Sequence, residues 1–183
     1  LDYLRPNSSN ALPVDQVTLP KMLKGNGYAT GMVGKWHLGD KDIFHPLNRG
    51  FDHFFGVLTS ATDYIDPTRA DVKSASYSKK THTFELSNPS DWRGRGKNFV
   101  ARGNVPVDEG EYITDAFTRE ASAFIRENKD APFFLYLPYN APHGPLQVTQ
   151  EYYDRFPKMK NEAKRIYAAM ISALDDSIGA VLG

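Results

Sequence analysis

The sequence predicts an α/β fold in which a mainly parallel, mixed β-sheet is sandwiched by helices. Segments 28–34 and 132–138 have the apolar, uncharged composition of buried strands. Segments 18–25, 111–128 and 161–182 carry apolar residues at helical spacing. Strands that alternate with helices of this length are typical of layered α/β domains.

The first predicted helix and strand follow each other directly. Thr18 is the expected N-cap of the helix, and Gly27 is expected to end it in a left-handed conformation. The strand at 28–34 begins at the next residue. The apolar face of the helix is expected to consist of Leu19, Met22 and Leu23.

Residues 60–110 are weakly patterned, being rich in Ser, Thr, Asn, Gly and charged residues. Only 81–86 has the composition of a strand within them. We expect the aromatic residues of 48–56 to pack under the sheet edge. A long segment of this kind in a compact domain is typical of functional loops, so we expect 60–110 to lie on the substrate side.

Regular patterning returns in the last third of the chain. The helix at 111–128 and the strand at 132–138 are followed by a proline-rich loop at 139–148. Thr149 is the expected cap of a short helix that ends near residue 156. The helix at 161–182 closes the pattern.

Composition excludes several classes of function. The 183 residues hold 22 Lys and Arg against 22 Asp and Glu, so no global field favours nucleic acid or an anionic membrane. No apolar run approaches the ~20 residues of a membrane span. Cysteine is absent, which excludes disulfides, thiolate metal sites and a cysteine nucleophile within this sequence.

Lys35 and His37 follow the first predicted strand. On an extended backbone, side chains two residues apart point the same way, so the two are expected to converge while Trp36 faces elsewhere. An ammonium beside an imidazole suits a small tetrahedral anion. The alternative is a solvated lysine and a histidine bonded to backbone, since this spacing is common.

His143 lies in a loop directly after the second predicted strand. Pro142 and Pro145 flank it, which stiffens the loop. Open α/β sheets place ligands beyond the ends of their strands. Taken alone, His143 is equally consistent with a surface histidine.

Besides Lys35, His37 and His143, the sequence offers weaker candidates. Arg93, Arg95, Lys97 and Arg102 lie near Trp92 and suit an anionic substrate or polyanion, or form an exposed loop.

Three further groups complete the candidates. Asp63 is proposed to reach a pocket rim and bind substrate. Asp175 and Asp176 are interpreted as structural, because consecutive helical residues diverge. Three further histidines show no metal-ligand spacing with one another: His45, His53 and His82.

Two strings carry a family resemblance. GYATGMVGKWHLG at 27–39 and FFLYLPYNAPHGP at 133–145 resemble segments of the sulfatases, of the arylsulfatase or N-acetylgalactosamine-6-sulfatase type. These form the formylglycine-dependent branch of the alkaline-phosphatase-like superfamily. The resemblance is strongest at 12–60 and 111–182, and it implies an alkaline-phosphatase-like fold that is incomplete in this chain.

The resemblance implies roles for three residues. Lys35 would pair with sulfate oxygens and hold the aldehyde-hydrate nucleophile. His37 would hydrogen-bond that hydrate and assist its collapse. His143 would contact the sulfate ester and protonate the leaving alcohol.

The resemblance also implies groups that this sequence lacks. Family members generate formylglycine from a C/S-x-P-x-R motif and bind calcium through an Asp-Asp and an Asp-Asn pair; no such nucleophile motif occurs here and no metal ligands are assigned. We therefore expect residues 1–183 to be the central part of one catalytic domain, with segments 12–60, 60–110 and 111–183. We expect the chain alone to be inactive.

The expected substrate is a sulfated small molecule or carbohydrate, without nucleic acid or a membrane span. The family implies a secreted, periplasmic or lysosomal location. Exposed sheet edges are expected to promote oligomers or aggregation. Two alternatives stay open: a phosphatase or phosphonate-ester hydrolase of the same superfamily, and a non-catalytic polyanion-binding module.

Overall fold

The structure is a computed structural model that describes residues 11–58, 62–87 and 100–183. The chain divides into two compact units. The first unit comprises Leu1–Ser60, Phe99–Val107 and Phe117–Tyr139, and the second comprises Ala61–Asn98, Asp108–Ala116 and Asn140–Gly183.

The elements of the described residues follow in chain order. The helices are α1 (Leu19–Gly25), α2 (Ile113–Asn128), α3 (Gln150–Tyr153) and α4 (Glu162–Leu182), with 3₁₀ turns at Asp42–Phe44 and Pro46–Arg49. The strands are β1 (Ala29–Lys35), β2 (His53–Val57), β3 (Val72–Ser78), β4 (Thr83–Leu86), β5 (Val100–Arg102), β6 (Val105–Val107), β7 (Phe133–Tyr136) and β8 (Leu146–Thr149).

The sheet of the first unit has the strand order β6-β5-β2-β1-β7. β1 pairs in parallel with both β2 and β7. β5 pairs antiparallel with β2 and β6. The predicted mixed sheet with a parallel centre is therefore confirmed.

Both faces of β1 are buried, which explains its composition. On one face, the Phe124 ring from α2 lies so close to Gly31 that a Cβ there would be 2.6 Å from Phe124 Cε2. On the other face, Met32 belongs to a buried cluster. The other buried members of that cluster are Trp36, Phe51 and Phe54.

The end of β1 depends on two glycines that allow backbones to meet. A Cβ on Gly56 would lie 1.8 Å from the Gly34 carbonyl oxygen. Gly34 itself has a φ of +130°, and a Cβ on it would lie 2.2 Å from the Pro138 carbonyl oxygen. No side chain fits at either position without moving the strands apart.

Three expectations for the first unit need correction. The aromatic segment 48–56 does not lie under the sheet edge, because His53–Val57 is itself a central strand. β7 is half-buried at the edge of the described sheet rather than covered on both faces. The predicted apolar face of α1 is largely open, since Leu19 and Met22 are both 56% exposed.

The second unit contains an antiparallel sheet of order β4-β3-β8. α4 packs on it, with Asn161 as N-cap and Ile166, Met170 and Ala173 buried, as the periodicity predicts. β3 and β8 were not predicted, and β8 replaces the end of the expected proline-rich loop. That residues 1–183 belong to one catalytic domain stays a prediction.

None of the helices among the described residues is long and apolar enough to cross a membrane.

The glycine contact at the end of β1 yields a stability prediction. Gly56→Ala should lower the free energy of unfolding by at least about 3 kcal/mol, because the new methyl group overlaps the Gly34 carbonyl. Gly25→Ala is the matched control, since no atom lies within 4 Å of its Cβ position. Urea denaturation measures both. Equal midpoints for the two variants would contradict the packing described here.

Two histidines, one buried and one half-buried, predict a pH dependence of stability. Burial lowers the pKa of His45, against the opposing effects of the Gly103 backbone and Asp42. Burial also lowers the pKa of His53, against the attraction of Glu120. Since the unfolded chain protonates its histidines near pH ~6.5, stability is retained above that pH and decreases below it.

Each histidine contributes a slope of at most about 1.4 kcal/mol per pH unit. Replacing both His45 and His53 by Gln should flatten the decrease between about pH 7 and pH 5, measured by thermal unfolding. His82→Gln, on an exposed turn, is the control. A double variant with the wild-type slope would refute this explanation.

Candidate functional site

Three backbone hydrogen bonds hold the last residue of β1 and the two residues that follow it. Lys35 N donates to Pro138 O at 2.8 Å, and Trp36 N donates to Val57 O at 2.9 Å. His37 N then donates to Leu58 O at 3.1 Å. The segment therefore continues between the ends of β7 and β2, at the carboxyl edge of the parallel strands, where open α/β sheets bind ligands.

The route from Lys35 to His37 differs from the one we expected. β1 ends at Lys35, and His37 has a φ of +58°, in the left-handed region. The alternation rule for extended chains therefore does not apply to this pair. Convergence of the two side chains stays a prediction that now lacks its original geometric argument.

Trp36 anchors this turn in the core of the first unit. Its indole Nε1 donates to Phe44 O at 2.9 Å, and its ring meets Phe51 edge-on with centroids 6.1 Å apart. With the intervening residue fixed, Lys35 and His37 are left half-buried beside it.

Burial lowers the pKa of Lys35, and burial is the sole cause of that shift. The ammonium has lost part of its hydration without a compensating carboxylate among the described residues. An anion that hydrogen-bonds to it would recover that loss. The site is therefore electrostatically suited to sulfate or phosphate.

His143 lies on an exposed loop of the second unit. The Ala141–Pro142 and Gly144–Pro145 peptide bonds on either side are both cis. The ring Nδ1 is 2.6 Å from Gly144 O, and a carbonyl can only accept, so Nδ1 carries the proton. Nε2 is thereby left as the nitrogen that exchanges a proton with a ligand.

Tyr64 and Gln147 connect this loop to Asp63. The Tyr64 hydroxyl donates to His143 O at 2.9 Å, and Tyr64 N donates to Gln147 Oε1 at 2.7 Å. Gln147 Nε2 in turn donates to Asp63 Oδ1 at 3.2 Å. The structure thus brings Asp63 and the His143 loop together within the second unit.

The interior of this network is buried from the protein surface. Tyr64 and Gln147 are fully buried, and Tyr112 stacks on Tyr64 while its hydroxyl donates to Gln147 O at 3.0 Å. Burial raises the pKa of the Tyr64 hydroxyl far above its usual range, so it remains a donor. Asp63 is only 7% exposed, so it lies in the interior rather than at the expected rim.

Asn140 was missed by the sequence reasoning. It is 4% exposed, and within the described residues neither Oδ1 nor Nδ2 completes a hydrogen bond. Its amide lies beside the Tyr64 hydroxyl, where it opposes the rise in the pKa of that phenol. Its backbone carbonyl accepts from His143 N at 3.0 Å.

Gln147 was also missed, although the sequence held a signal for it. A single amide between Leu146 and Val148 in an apolar stretch indicates a buried polar residue that has partners. Those partners lie 83 and 84 positions away along the chain, so spacing alone does not identify them.

The remaining candidates have other surroundings. Arg93 and Arg95 lie outside the described residues. Arg102 pairs with Glu120 on α2, at 2.6 Å between Nη1 and Oε2. Asp176 pairs with Arg155 at 2.6 Å, as expected of a structural residue.

Within 11–58, 62–87 and 100–183, no group of three or more His, Cys, Asp or Glu side chains is arranged to hold one.

A family model for the sulfatases matches residues 2–183. The chain belongs to the sulfatase family. The predicted family and fold class are therefore both confirmed.

Individual sulfatases show the same likeness. Arylsulfatase J of Mus musculus is 37% identical over 180 residues, covering 96% of this chain and 27% of that protein. N-acetylgalactosamine-6-sulfatase of Homo sapiens is 31% identical over 173 residues, covering 93% and 29%. The crystal structure of Ps i-CgsB in complex with k-i-k-neocarrahexaose superimposes with a TM-score of 0.78 at 35% identity, over 98% of this chain and 39% of that chain.

The chain thus spans between 27% and 39% of the length of these three proteins.

The network around Gln147 yields a third prediction. Gln147→Leu should lower the free energy of unfolding by about 3 kcal/mol, because it removes the acceptor of Tyr64 N and the donor to buried Asp63. The matched control is Gln150→Leu, whose amide bonds to Asp154 at 2.7 Å on the surface and should change stability by less than about 0.5 kcal/mol. Chemical denaturation measures both, and equal losses would contradict the network.

Proposed function

We propose that the protein containing this chain hydrolyses a sulfate ester, with a carbohydrate as its substrate. The observation that carries the proposal is the partly desolvated Lys35 ammonium at the carboxyl edge of parallel strands. Membership of the sulfatase family supports sulfate as the anion. The relatives named for N-acetylgalactosamine-6-sulfatase, and a sulfatase structure solved with a neocarrahexaose, support a carbohydrate.

In this proposal Lys35 binds sulfate oxygens. Its charge offsets the negative charge of the sulfuryl group as the ester bond lengthens, and partial burial strengthens that interaction relative to water. His37 lies two residues further on, in a backbone conformation fixed by its bond to Leu58. It hydrogen-bonds the reacting centre and moves a proton there.

His143 is assigned to the leaving group. With Nδ1 held by the Gly144 carbonyl, its protonated ring presents Nε2–H as the donor. Transfer of that proton to the bridging oxygen releases a neutral alcohol as the S–O bond breaks, while the sulfuryl group passes to the nucleophile, which residues outside this chain would supply. Asp63 and Tyr64 act behind it, by keeping the loop in place through Gln147.

Formylglycine and calcium are not supplied by these residues. The sequence has no C/S-x-P-x-R motif, and the described residues offer no set of donors suited to calcium, which needs several oxygen ligands. We therefore propose that both come from regions outside this chain, and that the chain alone is inactive. A secreted, periplasmic or lysosomal location and oligomerisation through sheet edges also stay predictions.

The test is an assay of the complete protein on 4-nitrophenyl sulfate and 4-nitrophenyl phosphate in parallel. Lys35→Ala and His143→Ala should each lower kcat/KM for the sulfate by about 10²-fold or more, because each removes charge or proton transfer. Lys160→Ala, an exposed lysine of the second unit, is the control and should leave the rate unchanged.

The pH profile separates binding by charge from a structural effect. Because the pKa of Lys35 is lowered, wild-type kcat/KM should decrease as alkaline pH removes its charge. Lys35→Arg keeps its charge and should extend activity to higher pH. Preference for the phosphate would favour a phosphatase or phosphonate hydrolase. Turnover of neither ester would favour a non-catalytic module.

A further inference from the structure

The β3–β4 hairpin presents aromatic and basic residues beside the His143 loop. Tyr77 and Phe84 face each other across the two strands, with their rings edge-on and centroids 5.7 Å apart. The tight turn between the strands carries Lys79 and Lys80, both exposed. Together with His82, these residues form a set of five that we call the hairpin surface: Tyr77, Lys79, Lys80, His82 and Phe84.

The hairpin surface is continuous with the loop that carries His143. β8 begins immediately after the loop and pairs with β3, Leu146 opposite Ala75. The Phe84 ring lies against the loop itself, since a Cβ on Gly144 would be 3.1 Å from Phe84 Cε1. The surface therefore begins one residue from the proposed general acid, and all of these residues belong to the second unit.

Tyr77 is held in place although it is exposed. Tyr77 is 53% exposed. Phe84 supports one edge of the ring, and the hydroxyl lies 3.3 Å from His82 Nδ1. An exposed aromatic ring with little rotational freedom loses little entropy when a ligand packs on it.

The charge of the hairpin favours an anionic ligand. The hairpin carries three lysines, Lys73, Lys79 and Lys80, and one acidic residue, Glu85. The Glu85 carboxylate accepts a hydrogen bond from the Thr81 hydroxyl at 2.6 Å. A sugar ring packs its C–H face on an aromatic side chain, and sulfate groups on that sugar pair with ammonium groups.

We propose that the hairpin surface binds the sugar unit adjacent to the one whose sulfate ester is cleaved, in a sulfated oligosaccharide. Tyr77 packs on the sugar ring, and Lys79 and Lys80 bind its sulfate groups. This inference rests on the proposed function for the position of the cleaved ester, but the binding itself is measurable without turnover.

The test compares substrates that reach the hairpin surface with one that does not. In the complete protein, Tyr77→Ala should lower kcat/KM for a sulfated neocarrahexaose or a chondroitin sulfate hexasaccharide by about tenfold, as expected for loss of an aromatic anchor. The rate on 4-nitrophenyl sulfate should change by less than about twofold, since that ester lacks the adjacent sugar unit that Tyr77 is proposed to bind. Tyr167→Ala, a tyrosine of similar exposure on α4, should change neither rate.

The charges are tested separately. Lys79→Gln with Lys80→Gln should weaken hexasaccharide binding, measured by titration calorimetry, and should reduce its dependence on salt. The double variant Lys158→Gln with Lys160→Gln, also exposed in the second unit, is the control. Tyr77→Phe, which keeps the ring, should retain most of the binding.

The outcomes distinguish this inference from the proposed function. Equal losses on the hexasaccharides and on 4-nitrophenyl sulfate would overturn the inference while the sulfatase activity stands. Absence of hexasaccharide binding by the wild type would also overturn it. Binding that depends on Tyr77, in a protein that cleaves no sulfate ester, would support the hairpin surface and overturn the proposed function.

Discussion

The close approach of three backbone segments at Gly34 is the constraint on which the first unit depends. β1 runs between β2 and β7, and its last residues fit because Gly34 and Gly56 carry no side chain. The Pro138 carbonyl oxygen would overlap any side chain at Gly34. Because Gly34 has none, that oxygen lies close enough to accept a hydrogen bond from Lys35 N. The same contact that requires glycine therefore fixes where the strand ends and where Lys35 emerges.

A different kind of constraint organises the second unit. In the second unit the buried side-chain amide of Gln147, rather than closely packed glycines, fixes the arrangement of the residues behind the His143 loop. It satisfies Tyr64 N and reaches Asp63, and the Tyr64 hydroxyl then holds the His143 carbonyl. In a buried interior each of these bonds is costly to lose, so several residues behind the loop define its conformation.

Local patterns predicted much of the fold. The Thr18 cap, the left-handed Gly27, β1, α2 and α4 all follow from propensity and periodicity, which act over a few residues. β3 and β8 did not, because their sequences are half polar and their stability comes from pairing with each other across about 70 positions of the chain.

The same limit applies to the candidate site. Lys35, His37 and His143 were proposed because each lies at or after the end of a recognisable strand. The positive φ of His37 was not foreseen, because a non-glycine residue in that region is uncommon and depends on bonds such as the one from His37 N to Leu58 O. Gln147 and Asn140 were missed because their importance lies in burial and distant partners, which a spacing rule does not encode.

Lys35 is proposed to be a partly desolvated ammonium that binds a sulfate group. The most direct test of this proposal is an NMR titration of the Lys35 side chain in the complete protein, with and without inorganic sulfate. The account predicts a pKa below the ordinary lysine value in the absence of sulfate and a higher pKa once sulfate is bound. An ordinary pKa that sulfate leaves unchanged would contradict it.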